Sequence, residues 1–151
     1  MSPLVPVRAA LGGASDEQLD VLRAFGLPLG VAFQLRDDLL GVFGDPAVTG
    51  EPSGDDLREG KRTTLVALAT RVLDARGRES LDAVLGDQAA TDAAIAVAQD
   101  TIAASGAVEQ VERLISAATT KALEALGSPL LAPAGVTELR ELAAAVTQRV
   151  A

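Results

Sequence analysis

The run from Asp16 to Phe43 constrains the fold more than any other part of the chain. It opens on Ser15-Asp16-Glu17-Gln18, a capping box in which the Ser15 hydroxyl can take the amide proton of Gln18 and the Gln18 side chain can return the bond. Two acids in the first turn favour the helix dipole. The spacing predicts a helix from Asp16 to about Phe43. Pro28 lies inside it and should kink it or split it in two, because the ring removes one ladder bond. After Pro28 the run is apolar nearly all round (Val31, Ala32, Phe33, Leu35, Leu39, Leu40, Val42, Phe43), which predicts a central, buried helix. Two adjacent carboxylates, Asp37 and Asp38, sit inside that apolar run. A buried anion is expensive unless a cation, a metal or water in a cleft compensates it. The pair is therefore the first candidate for chemistry.

The remaining composition narrows the chemistry by exclusion. No His, Cys, Trp or Tyr occurs in the 151 residues. That removes a Ser-His-Asp triad, a Cys nucleophile, a thiolate or imidazole zinc site and any disulfide. With 48% hydrophobic but only 2% aromatic residues, the core must be built from Ala, Leu and Val, and Ala and Leu are strong helix formers. A net charge of -8 argues against nucleic acid as a partner, because phosphate binding needs a basic surface. An anionic ligand would need a local basic group or a bridging metal ion. No apolar run is long enough to span a bilayer, and Met1 to Val7 lacks the marks of a secretory signal, so cytoplasm is the default expectation.

Taken in order, Met1 to Gly13 reads as an irregular lead-in with a short helical turn at Val7 to Leu11. Gly44 to Gly60 reads as a loop rich in turn formers, and with its return to helix it forms a candidate active-site loop over 44–62. Between Arg36 and Arg62 there are seven acids and four bases, so charge is concentrated beside the Asp pair. Further helices are predicted over Thr63 to Ala75, Glu79 to Leu85, Thr91 to Ser105 (capped by Thr91 or Gln88), Val108 to Leu126 and Val136 or Thr137 to Val150. The long one should bury Val108, Val111, Leu114, Ile115, Ala118, Ala122 and Leu126 on one face and stop at Gly127. No alternating strand pattern and no fixed-period repeat is visible, so the class is all-α, with one domain over 1–151.

On a helix Gln34 shares a face with Asp37 and Asp38, one turn earlier. Two hard carboxylates suit Mg²⁺, which keeps several waters and favours sites shared with substrate phosphates. A diphosphate held through bridging metal ions is the natural completion. Lys61, where the loop returns to helix, would supply a point charge for phosphate oxygens, and the amides at that helix start would also suit an anion. Plainer readings exist for each feature. An Asp-Asp pair can be a solvated helix face, Gln34 a bridge between backbone groups, and Lys61-Arg62 a surface pair. Asp55-Asp56 reads as a loop or cap pair rather than a second metal site. The Gly-rich loop is not a P-loop, lacking Gly-Lys-Ser/Thr before a helix.

The segment Gly30-Val31-Ala32-Phe33-Gln34-Leu35-Arg36-Asp37-Asp38-Leu39-Leu40, then Phe43-Gly44-Asp45-Pro46 and Gly60-Lys61-Arg62-Thr63, resembles the second aspartate-rich region of the trans-isoprenyl diphosphate synthases, the polyprenyl synthetase family. Its flavour is similar to actinobacterial geranylgeranyl diphosphate synthases. The resemblance implies the C-terminal half of an isoprenoid-synthase helical bundle and a prenyltransferase reaction. In that reaction an allylic diphosphate ionises and joins isopentenyl diphosphate, with Mg²⁺ on the diphosphate. Asp37, Asp38 and Lys61 would be the catalytic residues carried here, Asp37 and Asp38 the metal ligands, and Gln34 and Lys61 the substrate-binding side chains. The resemblance also marks departures. The first aspartate-rich region, the arginine pair after it and the early isopentenyl-diphosphate-binding residues have no counterpart. The third aspartate expected after Asp37 is Gly41, and an expected loop lysine is Glu51. These imply a chain that needs its other half, as a homo-oligomer or with a full-length synthase. The rival expectations are a non-catalytic prenyltransferase-like interaction subunit and a truncated remnant.

Overall fold

The capping box forms as its residue types require. The amide of Gln18 donates to Ser15 Oγ at 3.2 Å and the amide of Ser15 donates to Gln18 Oε1 at 2.9 Å. From there the computed structural model, which describes residue 13 and residues 15–147, runs as a single helix α1, Asp16–Phe43. Pro28 lies within α1 and does not split it. Its ring costs one ladder bond, and Phe25 and Leu29 on either side of it are buried. The predicted lead-in with its turn at Val7 to Leu11 lies outside the described residues.

The segment after α1 departs from the expected open loop. It contains two short helices, α2 (Pro46–Thr49) and α3 (Asp55–Glu59). The turn formers themselves make them. Asp45 caps α2 through the amide of Ala47, Pro46 takes its first position, and Gly50 closes it at φ +77°. Gly54 and Gly60, both with positive φ, bracket α3. Then come α4 (Thr64–Val72), α5 (Ala75–Asp82), α6 (Asp92–Ala104), α7 (Ala107–Ala125) and α8 (Pro133–Thr147). No strand occurs among the described residues, and the protein is all-α. Element α4 is shorter and α5 earlier than predicted, because Asp74 accepts the amide of Gly77 and starts a new helix. Thr91 is the cap of α6, accepting from Ala94. Element α8 starts at Pro133, three residues before the predicted Val136, since proline suits the first helical position. No described helix is long and apolar enough to cross a membrane.

The described chain gathers into two compact units. One takes in the chain as far as Gln34 and again from Leu114, and the other runs from Leu35 to Arg113. In the first, Phe25, Leu29, Ala122, Leu126 and Ala143 form a buried cluster, flanked by Leu123, Leu131, Val136, Leu139 and Val146. Gln18 Nε2 donates to the carbonyl of Leu130 at 2.8 Å. Burial on α1 follows one stripe, Phe25, Leu29 and Ala32, while Leu27 and Val31 remain more than half exposed. The all-round burial expected after Pro28 is therefore corrected, because only one face of the helix is covered. Element α7 likewise buries a narrower stripe than predicted. Val111, Ile115, Ala122 and Leu126 are buried, and Leu114 is exposed. In the second unit Leu35, Leu39, Val42, Leu57, Leu65, Val66, Ile95, Ile102 and Val111 are buried. There Arg36 grips Glu112 with two parallel bonds, at 2.6 and 3.0 Å.

Candidate functional site

The site grows from the last two turns of α1. The helical repeat that buries Leu35, Leu39 and Val42 carries Asp38 to the edge of that buried stripe, where it is only 7% exposed. Asp37, next to it, is half-buried. Burial pushes the Asp38 carboxyl above its ordinary value, and the nearby Asp56 and Asp37 carboxylates push it the same way. The backbone amide of Thr64 and, more weakly, the Lys61 ammonium act in the opposite direction. Asp38 thus sits at the start of α4 and holds its first amide. Thr63 Oγ1 accepts the amide of Val66 at 3.2 Å. The free amides expected at this helix start are in part already engaged by the chain, because a helix N-terminus beside a buried acid satisfies both groups.

Element α3 brings a third carboxylate. A Cβ added at Gly41 would overlap the Asp56 carboxyl group, so Asp56 lies directly over the bare backbone of Gly41 on α1. Lys61 Nζ pairs with Asp56 Oδ1 at 3.3 Å and with Glu59 Oε2 at 3.7 Å. Asp56 is the main cause of the raised Lys61 pKa, so the ammonium stays protonated. The loop closes so that Lys61 N–H donates to the carbonyl of Asp56 at 3.0 Å.

The second unit therefore joins Asp37, Asp38, Asp56 and Lys61. Gln34 is exposed on α1, a turn earlier, and belongs to the first unit. Two of the four bases counted near the acids point elsewhere. Arg36 is held by Glu112, and Arg58 donates to the carbonyls of Ser53 and Ala90 and pairs with Asp92 at 2.8 Å. Glu51 is exposed, and its charge reaches Lys61. Asp56, read from the sequence as part of a loop or cap pair, lies in the first turn of α3 and packs on α1. The signal for that packing was Gly41, whose missing side chain leaves room for an acid from elsewhere.

The oxygen donors of Asp37 and Asp38 suit a hard divalent cation, and burial leaves Asp38 with a charge that a cation would relieve. Among the described residues no group of three or more Asp, Glu, His or Cys side chains is arranged to hold a metal. An ion at Asp37 and Asp38 would take its remaining donors from beyond this pair of side chains. A diphosphate supplies such donors.

Comparison with known proteins bears on this arrangement. The family model described as polyprenyl synthetase matches residues 4–102. A geranylfarnesyl diphosphate synthase of Aeropyrum pernix is 40% identical over 106 residues, covering 70% of this chain and 32% of that protein. A geranylgeranyl diphosphate synthase of Mycobacterium tuberculosis is 37% identical over 125 residues, covering 80% of this chain and 36% of that one. Among solved structures, a geranylgeranyl pyrophosphate synthase from Corynebacterium glutamicum, complexed with isoprenyl diphosphate and magnesium, superposes with a TM-score of 0.89 at 43% identity, covering 94% of this chain and 40% of that one. The chain thus spans about a third of the length of these curated relatives and less than half of that solved structure. With a family model matched over most of its length and relatives of this identity, the chain belongs to the polyprenyl synthetase family.

Proposed function

We propose that this chain is the C-terminal half of a prenyltransferase that condenses an allylic diphosphate with isopentenyl diphosphate, and that it carries one wall of a Mg²⁺-diphosphate site. One observation supports this most. A protonated lysine and three carboxylates converge at the end of α1, and Asp56 fills the space over Gly41 where the family's third aspartate would project. Asp37 and Asp38 are the metal-holding carboxylates. Asp38 accepts the backbone amide of Thr64, and Asp37 is the more open of the two. Lys61 would supply a positive charge to phosphate oxygens, and binding a diphosphate would draw its ammonium from Asp56 and Glu59. Mg²⁺, when bound, would neutralise charge developing on the departing diphosphate. The apolar residues around the acids would keep water from an allylic cation. On this reading these residues supply one wall of the site, and turnover would draw the opposite wall from the remainder of a synthase. The chain would act in a homo-oligomer or with a longer synthase.

Titration calorimetry with inorganic diphosphate in Mg²⁺ tests the reading. Wild-type chain binds, and Asp37→Ala lowers affinity by at least about tenfold, the equivalent of losing one charge-assisted contact. Binding that survives Asp37→Ala overturns the site. Prenyl transfer by the purified 151-residue chain with labelled isopentenyl diphosphate overturns the claim that it needs a partner. The exposed Glu51, an anion on the loop where a phosphate-binding cation is expected, favours a second reading, a non-catalytic interaction subunit. On that reading Asp37→Ala leaves partner binding unchanged.

A further inference from the structure

The acids and the lysine of the site come from two separate pieces of chain, the end of α1 and the segment 52–61. One side chain joins those two pieces. Gln99, half-buried on α6, donates from Nε2 to the carbonyl of Val42 at 2.6 Å and to Ser53 Oγ at 2.9 Å. Val42 is one turn beyond Asp38 on α1, and its carbonyl lies in the last turn, where no further helical amide reaches it. Ser53 precedes Gly54, which opens α3 and so sets where Asp56 falls. One turn before Gln99 on the same helix, Ile95 is packed so closely on Gly54 that a Cβ there would overlap its side chain. Arg58 ties the same segment to the start of α6 through Ser53, Ala90 and Asp92. All these residues lie in one compact unit.

We propose that Gln99 is a positioning residue: its amide, shared between Val42 and Ser53, sets the spacing between the Asp37-Asp38 turn and the segment that delivers Asp56 and Lys61. Gln99 touches no reacting group and acts through the two pieces it joins. The consequence for ligand binding rests on the diphosphate reading given above, whereas the consequence for the loop does not.

The test uses the full chain and three variants. Gln99→Leu keeps the bulk and removes both donors, Gln99→His keeps one ring N–H at similar reach, and Asp37→Ala removes the metal side without touching the clamp. Amide hydrogen exchange is read peptide by peptide, and inorganic diphosphate binding in Mg²⁺ is read by calorimetry. In Gln99→Leu, exchange over residues 52–61 rises about tenfold, the equivalent of one lost net hydrogen bond, and diphosphate affinity falls by a similar factor. Exchange in the first unit stays at wild-type rates. Gln99→His recovers both to within about threefold, which a merely space-filling role would not predict. Asp37→Ala loses diphosphate binding with exchange unchanged. Wild-type exchange over 52–61 in Gln99→Leu overturns the proposal, as does a rise spread evenly over the chain. A looser loop with unaltered diphosphate affinity also overturns it. If the wild-type chain binds no diphosphate, the functional reading fails separately, and localised exchange at 52–61 alone decides whether Gln99 sets the spacing.

Discussion

Asp38 holds its charge at a cost. The folded chain raises its carboxyl above the ordinary 3.8, chiefly through burial, and the unfolded chain returns it to that value. Between the two values the folded state binds more protons, so stability falls as pH rises through that window. The penalty is complete above the folded value and absent below the ordinary one. Asp38→Asn keeps an oxygen for the amide of Thr64 and removes the charge. Metal-free Asp38→Asn should therefore be more stable than wild type to urea at pH 7, with the gain vanishing once the pH falls below the ordinary carboxyl value. A loss of stability at pH 7, or a gain that ignores pH, would show that burial of this charge is not what perturbs it. A carboxylate that destabilises the ligand-free protein is what the proposed metal site would give, because a bound cation would offset the cost.

At the scale of elements, the contact that defines the site is α3 on α1. It exists because position 41 has no side chain. Gly41→Ala places a methyl group where the Asp56 carboxyl lies, so the carboxylate must move and its pairing with Lys61 is disturbed. The substitution should cost about 1–3 kcal/mol, the usual range for overpacking, despite the higher helix propensity of alanine. In an Asp56→Ala background the carboxyl atoms that a Cβ would overlap are gone, and the same change should cost less. A double-mutant cycle on unfolding free energies should therefore return a coupling of about 0.5–3 kcal/mol, and strict additivity would refute the contact. The expected loop over 44–62 also changes meaning at this scale. Its glycines and prolines are not slack. They cap α2 and α3 and aim Asp56 inward.

For the molecule as a whole, what remains uncovered matters most. Leu27 and Val31, four residues apart on α1, are 62% and 54% exposed, and Leu114, Leu130 and Leu142 of the same unit are also exposed. Apolar side chains at helical spacing on an open face favour association, against which the net charge of -8 acts. The isolated chain should self-associate or lose fixed tertiary packing. Sedimentation velocity should show mass rising with concentration, and Leu27→Lys with Val31→Glu should shift the population to monomer. A monodisperse wild-type monomer with a cooperative melt would contradict this.

Most of the helices could be read in the sequence because their causes are local. Ser15 and Gln18, and Thr91 and Ala94, lie three residues apart, so one turn of backbone brings each pair together. Helical spacing likewise placed Asp37 and Asp38 on an apolar helix, although it overstated how much of that helix is covered. Tertiary structure decided everything that depends on how loops close. It set Asp56 over Gly41, turned Arg36 to Glu112 and Arg58 to Asp92, gave the first amide of α4 to Asp38, and brought Gln99 to a carbonyl 57 residues away in sequence. The periodicity of a helix specifies which of its residues share a face. It carries no information about which distant side chain meets that face, because that meeting is set by the packing of other elements and by turns whose direction rests on single left-handed glycines.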